Sequence, residues 1–433
     1  MKKDKKDREI SLLGRVFLFF RDLWEKIRSL RLIKRVSDKQ KELSSYNGDP
    51  NDASEARAAY FFGISKVVCV SLLCFLLILT VLFGGSIISY ENVYYMFKDI
   101  GYISSYTESP PDALSFSKPI TNQTFSDFKN GLAVASDSEI KLFTSTGRVT
   151  MTEGSEFVNP QIATSNGTIL IYDQGRKGFS VYNSFVVLFS KKLDFPISCA
   201  DMADDGSFAV VTGSAKYKSV IQIYDSDFSL EMEYSKNNYV LDAKFSDDGK
   251  YILVLSMDAQ GGESRVSIDV IERRRGEIKS TVSLAGVMPY SCEFLSDSKL
   301  AIVCQDKTLV YDVNGKSVSE YKYPSQLVKM SSDEAGLALL FKQSSTRSGY
   351  SVVMIDKNGK AVFSDTVEGN VRDMALSGKY VYVLLDRELV RIDTSFGVRN
   401  TGEVKGEDTR LVALRGGEVM VCTPGVAYYI SFD

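Results

Sequence analysis

The sequence predicts an all-β, eight-bladed β-propeller (seven blades being the alternative) lying outside the membrane. One transmembrane α-helix and a short helical cytoplasmic head precede it. Three observations predict this. A turn motif recurs through the last three-quarters of the chain; short apolar or alternating runs flank each copy; and a long uncharged run stands near the N-terminus. The 433 residues are 44% hydrophobic and 25% charged with only 9 Pro, which excludes wholesale disorder and collagen-like or mucin-like repeats.

From the N-terminus, 1–43 reads as a basic amphipathic head. Ile10, Leu13, Phe17, Phe20, Trp24 and Ile27 recur at steps of three and four, the spacing of one helix face. Arg15, Arg21, Lys26, Arg28, Arg31, Lys34 and Arg35 are interleaved among them, as in a helix that lies on anionic lipid or pairs with a partner. Residues 44–66 are polar and turn-rich around Asn47-Gly48-Asp49-Pro50 and read as a linker and inner interface.

Residues 67–88 carry no charge. As a helix they would span roughly 33 Å, enough for a bilayer core of about 30 Å. Lys and Arg gather on the N-terminal side, so the positive-inside rule places that side in the cytoplasm and the C-terminal part outside. Tyr60, Phe61 and Phe62 before the run, and Tyr90, Tyr94, Tyr95 and Phe97 in the juxtamembrane segment 89–108, suit the two headgroup levels. The expected localisation is therefore the cell membrane, single-pass, with an extracytoplasmic C-terminal domain. The charge divides accordingly: residues 1–66 carry a balance of +6 and the remainder −9. An acidic outer region argues against nucleic acid as a partner, since that needs a basic surface to displace counterions.

Residues 109–433 form the expected propeller. The turn motif appears as Lys129-Asn130-Gly131, Asn166-Gly167, Asp204-Asp205-Gly206, Asp247-Asp248-Gly249, Ser296-Asp297-Ser298, Asp333-Glu334-Ala335-Gly336, Ser377-Gly378-Lys379 and Gly416-Gly417. Neighbouring copies lie roughly 36–50 residues apart, a per-blade length, and within each unit Gly/Asp/Asn turns separate four hairpin-linked strands. An Asp follows an aromatic or aliphatic residue at the expected end of the third strand: Asp173, Asp225, Asp312, Asp356 and Asp393. Each is expected to accept N–H bonds in the next turn. The last unit shows only three strands, so part of 110–120 is expected to supply the fourth and close the ring.

On these residues a resemblance emerges. AKFSDDGKYILVLS resembles the turn-and-strand signature of WD40-like and TolB-like blades, and YDVNGK and IDKNGK resemble the step of PQQ-type repeats. The whole chain is similar to a functionally unassigned family of membrane-anchored propellers from Gram-positive bacteria. With no His in the chain and no Trp beyond residue 24, the resemblance implies a fold and no cofactor.

The absence of His also removes Ser-His-Asp and Cys-His catalysis, His-ligated metals and any imidazole pH switch. No catalytic, cofactor or metal site is predicted. The doublets Asp204-Asp205 and Asp247-Asp248 read as turn formers, and Arg273-Arg274-Arg275 as a solvated hairpin tip. Cys292 and Cys304 flank one turn, where antiparallel pairing would set them roughly opposite and geometrically admit a disulfide, although buried free thiols suit such strands. The expected function is a protein-interaction scaffold or ligand sensor. Its partners would be membrane lipid through 67–88 and the head, and a protein on the propeller. The alternative is a His-independent carbohydrate-acting enzyme with carboxylates at the propeller channel.

Overall fold

The computed structural model describes residues 65–74, 113–260, 263–343, 349–406, 409–414, 418–430 and 432. The chain divides into two units, Met1–Met96 and Phe97–Asp433. In the first, 65–74 is helical. The rest of the predicted span, 75–88, lies outside the described residues, as do the head 1–43, the linker to residue 64 and the segment 89–108. Among the described residues no helix is long and apolar enough to cross a membrane.

Among its described residues the second unit contains thirty-two strands, β1–β32 in chain order, paired into eight antiparallel sheets of four. These are the blades of an eight-bladed propeller. In the first seven, four consecutive strands follow one another across the sheet. Their first strands are β2 (Gln123–Phe128), β6 (Pro160–Thr164), β10 (Ile197–Met202), β14 (Tyr239–Phe245), β18 (Pro289–Ser296), β22 (Leu327–Asp333) and β26 (Val371–Ser377). First strands of successive blades lie against one another around the centre.

The eighth blade closes the ring as expected. Its order is β1 (Leu114–Ser115), β32 (Val426–Tyr429), β31 (Glu418–Thr423) and β30 (Arg410–Leu414), so the first strand of the domain forms the outer edge of its last sheet. Leu114 faces Ala427 and Ser115 faces Val426, and the Phe116 N–H donates to the Gly425 carbonyl at 3.0 Å.

Position in the blade explains the sequence of each strand. Second strands are buried along nearly their whole length, and Gly131–Ser136 and Phe208–Thr212 throughout, because neighbouring blades cover both faces, and they read as apolar runs. Outer strands such as Leu230–Lys236 expose every other residue and alternate accordingly. The buried apolar residues fall into eight clusters among the described residues, one at each junction between blades. One of them, with Leu114, Phe116, Leu132, Val134 and Val412, joins blade eight to blade one.

The described turn motifs all fall between first and second strands. Lys129 and Asn130 both have positive φ, at 54° and 60°, the geometry of a tight hairpin turn. Four of the five predicted Asp turn acceptors end or follow third strands. Asp225 accepts from Asp227 and Ser229, Asp312 from Asn314 and Lys316, Asp356 from Asn358 and Lys360, and Asp393 from Ser395.

Two expectations need correction. Asp173 ends a second strand, Ile169–Asp173, and accepts instead from Val158 and Asn159, in the loop that enters its own blade. Cys292 faces Ile302, and Cys304 faces Pro289, so the register of this hairpin does not set the two opposite each other. Both thiols are free and buried in one apolar cluster.

Candidate functional site

The eight first strands end around a central cavity of about 720 Å³ at the face carrying the first-to-second-strand turns. Asp127, Asp201, Asp204, Asp247, Glu293, Asp333 and Glu334 line this mouth, with Lys244 as the cation among them. A first strand is hydrogen-bonded to its own blade along one edge only. The other edge turns to the channel, and its N–H groups need acceptors. Side chains of the preceding blade supply them. Asp201 accepts from the Phe245 N–H at 2.9 Å, Ser331 from Leu376 at 2.9 Å and Asp373 from Leu411 at 2.9 Å. Asp333 accepts likewise from Gly378.

The densest charge lies where blades three, four and five meet. Lys244 Nζ stands 3.8 Å from Asp201, and Ser291 Oγ donates to Glu293 at 2.8 Å. Burial pushes the Asp201, Asp242 and Glu293 carboxyls above their usual range, with Lys244 opposing the shift in each. Asp201 in turn holds the Lys244 ammonium well above its ordinary value. At the rim, burial and then the negative charges of Asp297, Asp204 and Glu334 raise Asp247.

The acidic doublets divide their work. Asp205 accepts the Ser207 N–H at 2.9 Å and Asp248 the Lys250 N–H at 3.0 Å, as turn formers do, while Asp204 and Asp247 line the mouth. Among the described residues no three His, Cys, Asp or Glu side chains form a group that could hold a metal ion.

Arg273 was expected in a solvated tip, yet its side chain is only 14% exposed. It pairs with Asp205 at 2.9 Å and Glu231 at 2.8 Å, both on blade three, and so clamps blade four to its neighbour. Arg275, 70% exposed beside Glu272, matches the solvated reading. The channel lining itself is a feature that sequence reasoning missed. The signal was present as charged residues among apolar ones on first strands, such as Asp242 and Lys244 in LDAKF and Glu293 in SCEFL.

The fold is similar to the crystal structure of BamB from Moraxella catarrhalis, with a TM-score of 0.52 and 14% identity over 75% of this chain and 98% of that one. It is also similar to Hsv2 from Kluyvelomyces marxianus, with a TM-score of 0.44 and 15% identity over 61% of this chain and 88% of that one. Likeness at such identity concerns the fold. No curated protein matches the chain in sequence. Residues 113–428 match the model of a family described as "Family of unknown function (DUF5711)", and the chain belongs to that family.

Proposed function

We propose that the chain is a single-pass membrane protein of a Gram-positive envelope, cytoplasmic at its N-terminus, whose outer propeller is a protein-interaction scaffold. The observation that carries this reading is the closed ring of eight blades, which offers a rigid platform with turns on two faces. The uncharged run 67–88, flanked by Lys and Arg before it and by aromatic residues on both sides, supports the anchor. The basic head supports contact with anionic lipid or a cytoplasmic partner.

The test is to crosslink intact cells expressing the full chain, purify it in mild detergent and identify what is retained by mass spectrometry. A stoichiometric protein linked through propeller turns is the expected result. Retention of lipid or wall glycan alone would overturn the scaffold and favour a ligand sensor.

One observation favours a second reading, a carbohydrate-acting enzyme. Asp201 and Glu293, both carboxyls raised by burial, line one concave mouth, as an acid–base pair would. Hydrolysis of wall glycan that is lost in Asp201→Asn and in Glu293→Gln would establish it. Equal inactivity of wild type and variants would sink it.

A further inference from the structure

Four Asn-Gly steps lie in hairpin turns of the propeller. Asn130-Gly131 and Asn166-Gly167 stand between first and second strands, Asn314-Gly315 and Asn358-Gly359 between third and fourth. A fifth, Asn47-Gly48, lies outside the described residues. An asparagine before a glycine holds both reactants of an intramolecular reaction. The glycine nitrogen attacks the asparagine side-chain carbonyl, and with no Cβ on the glycine nothing hinders the approach. The two atoms must first reach attack distance, so whatever fixes the side chain or the glycine backbone elsewhere slows the reaction.

Three of the four steps are held. Asn358 donates from Nδ2 to Asp356 at 3.3 Å and accepts from Lys299 Nζ at its Oδ1, while the Gly359 N–H donates to the Asp356 carbonyl at 2.9 Å. The Asn314 side chain donates to Asp312, and the Gly315 N–H to the Asp312 carbonyl at 2.9 Å. Gly131 is buried opposite Phe128 in the ladder, packed so closely that a Cβ there would overlap the Phe143 carbonyl. Its backbone therefore has no room to swing toward Asn130.

Asn166-Gly167 is different. Both residues are exposed, and a Cβ on Gly167 would meet nothing within 4 Å. Among the described residues nothing bonds the Asn166 side chain. The Gly167 N–H has a long bond to Ser165 Oγ, 3.2 Å, and shares that acceptor with the Thr168 N–H at 2.9 Å.

We propose that Asn166 is a deamidation site, converting faster in the folded chain than the three held asparagines. The Gly167 nitrogen gives its proton to solvent base and bonds to Asn166 Cγ. The Nδ2 group leaves as ammonia, and a five-membered succinimide remains. Water opens that ring at either carbonyl, leaving aspartate or isoaspartate.

The turn's position gives the product an effect. It follows Thr164, which lines the cavity mouth. Thr168 Oγ1 lies 3.0 Å from Ser165 Oγ and 3.6 Å from the sulfur of Met202 on blade three. Either product adds a negative charge beside an acidic mouth. Isoaspartate also puts an extra methylene into the backbone of a tight turn, which loosens the Thr168 contact with blade three. This chemistry belongs to the propeller itself and holds whichever partner the mouth takes.

The test incubates the full chain in mild detergent and mildly alkaline buffer, digests it in mild acid, and follows amide-to-acid conversion by peptide mass spectrometry. Asn166 should convert at least about tenfold faster than Asn314 or Asn358, the scale set by breaking one or two hydrogen bonds before attack. In the urea-unfolded chain the four rates should converge, because the bonds and packing that separate them are gone. Lys299→Met should speed conversion at Asn358 by releasing its Oδ1. After ageing, wild type should melt earlier than Asn166→Gln treated in the same way; coincident melts would overturn the effect on the turn. Conversion at Asn166 no faster than at the three held sites, or the same ranking folded and unfolded, would overturn the proposal.

Discussion

Asp137 shows how one side chain can fix a loop. The N–H groups of Ile120 and Thr121 and the Thr121 hydroxyl donate to it at 2.6–2.8 Å, and the Asn122 N–H at 3.3 Å. What burial it has raises the carboxyl, but these donors outweigh that and bring it down to about 2. The stability it contributes is present above the unfolded value near 4 and lost as pH falls toward 2. Asp137→Asn should therefore lower Tm by about 1–3 °C at pH 7 and by almost nothing near pH 2, a modest effect because the group is near solvent. Gly359 is sensitive for a steric reason. Its φ is +76°, and a Cβ there would overlap Ser319 and Val310 of the neighbouring blade, where Ser319 Oγ donates to the Gly359 carbonyl. Gly359→Ala should cost about 2 kcal/mol, measurable by denaturant unfolding. Both the Asn358-Gly359 turn and the Asp356 that caps it were legible in the sequence. The neighbour they press against was not, because it lies 40 residues away and no local pattern encodes a contact between blades. Arg273 was misjudged for the same reason, since its partners Asp205 and Glu231 are 68 and 42 residues distant.

At the scale of the strand, local sequence was sufficient wherever burial set the pattern. Second strands declared themselves as apolar runs and outer strands as alternation, since one is covered on both faces and the other on one. Assignment failed where register decides. Bulges in first strands shift pairing by one residue, as between Pro289 and Ser291, and an isolated sequence carries little sign of them. The channel mouth was illegible at this scale too, because it gathers one to three residues from each of eight strands. The closing strand was foreseen from a count, since three strands in the last unit required a fourth from elsewhere. Its hold extends beyond two ladder residues. Leu114 is 2% exposed, and the Phe116 ring lies 5.7 Å from Phe125 and 6.3 Å from Phe143 across the junction with blade one. Truncating that ring leaves a cavity between the two ends of the domain. Phe116→Ala should cost about 3 kcal/mol, and deleting 109–120 should lower Tm further by freeing the β32 edge. An unchanged Tm after the deletion would show that the ring does not depend on this strand.

Across the whole molecule, stability is distributed over eight small cores rather than concentrated in one, so its pH dependence is a sum over turns and junctions. Two populations of carboxylate pull in opposite directions. Asp205, Asp312, Asp356, Asp386 and Asp393 sit below their usual range. For Asp205, Asp312 and Asp356, burial works upward and is outweighed, by Arg273 at Asp205 and by turn N–H groups at the other two. Arg372 lowers Asp386, and Lys379 lowers Asp393. Their contribution is intact above the unfolded value near 4 and fades below it. The channel carboxyls Asp201, Asp242 and Glu293, and the rim carboxyls Asp247 and Asp333, are raised chiefly by burial, and their contribution fades as pH rises above that same value. Between the two losses lies a maximum. Tm plotted against pH should peak on the acid side of neutrality and decline on both sides of that peak. Circular dichroism melts at constant ionic strength would measure it. Because raised carboxyls in the channel produce the decline above the peak, neutralising Asp201 and Glu293 together should move the peak toward neutrality while leaving the acid limb in place. A peak that did not move in that double variant would place the alkaline loss elsewhere in the ring.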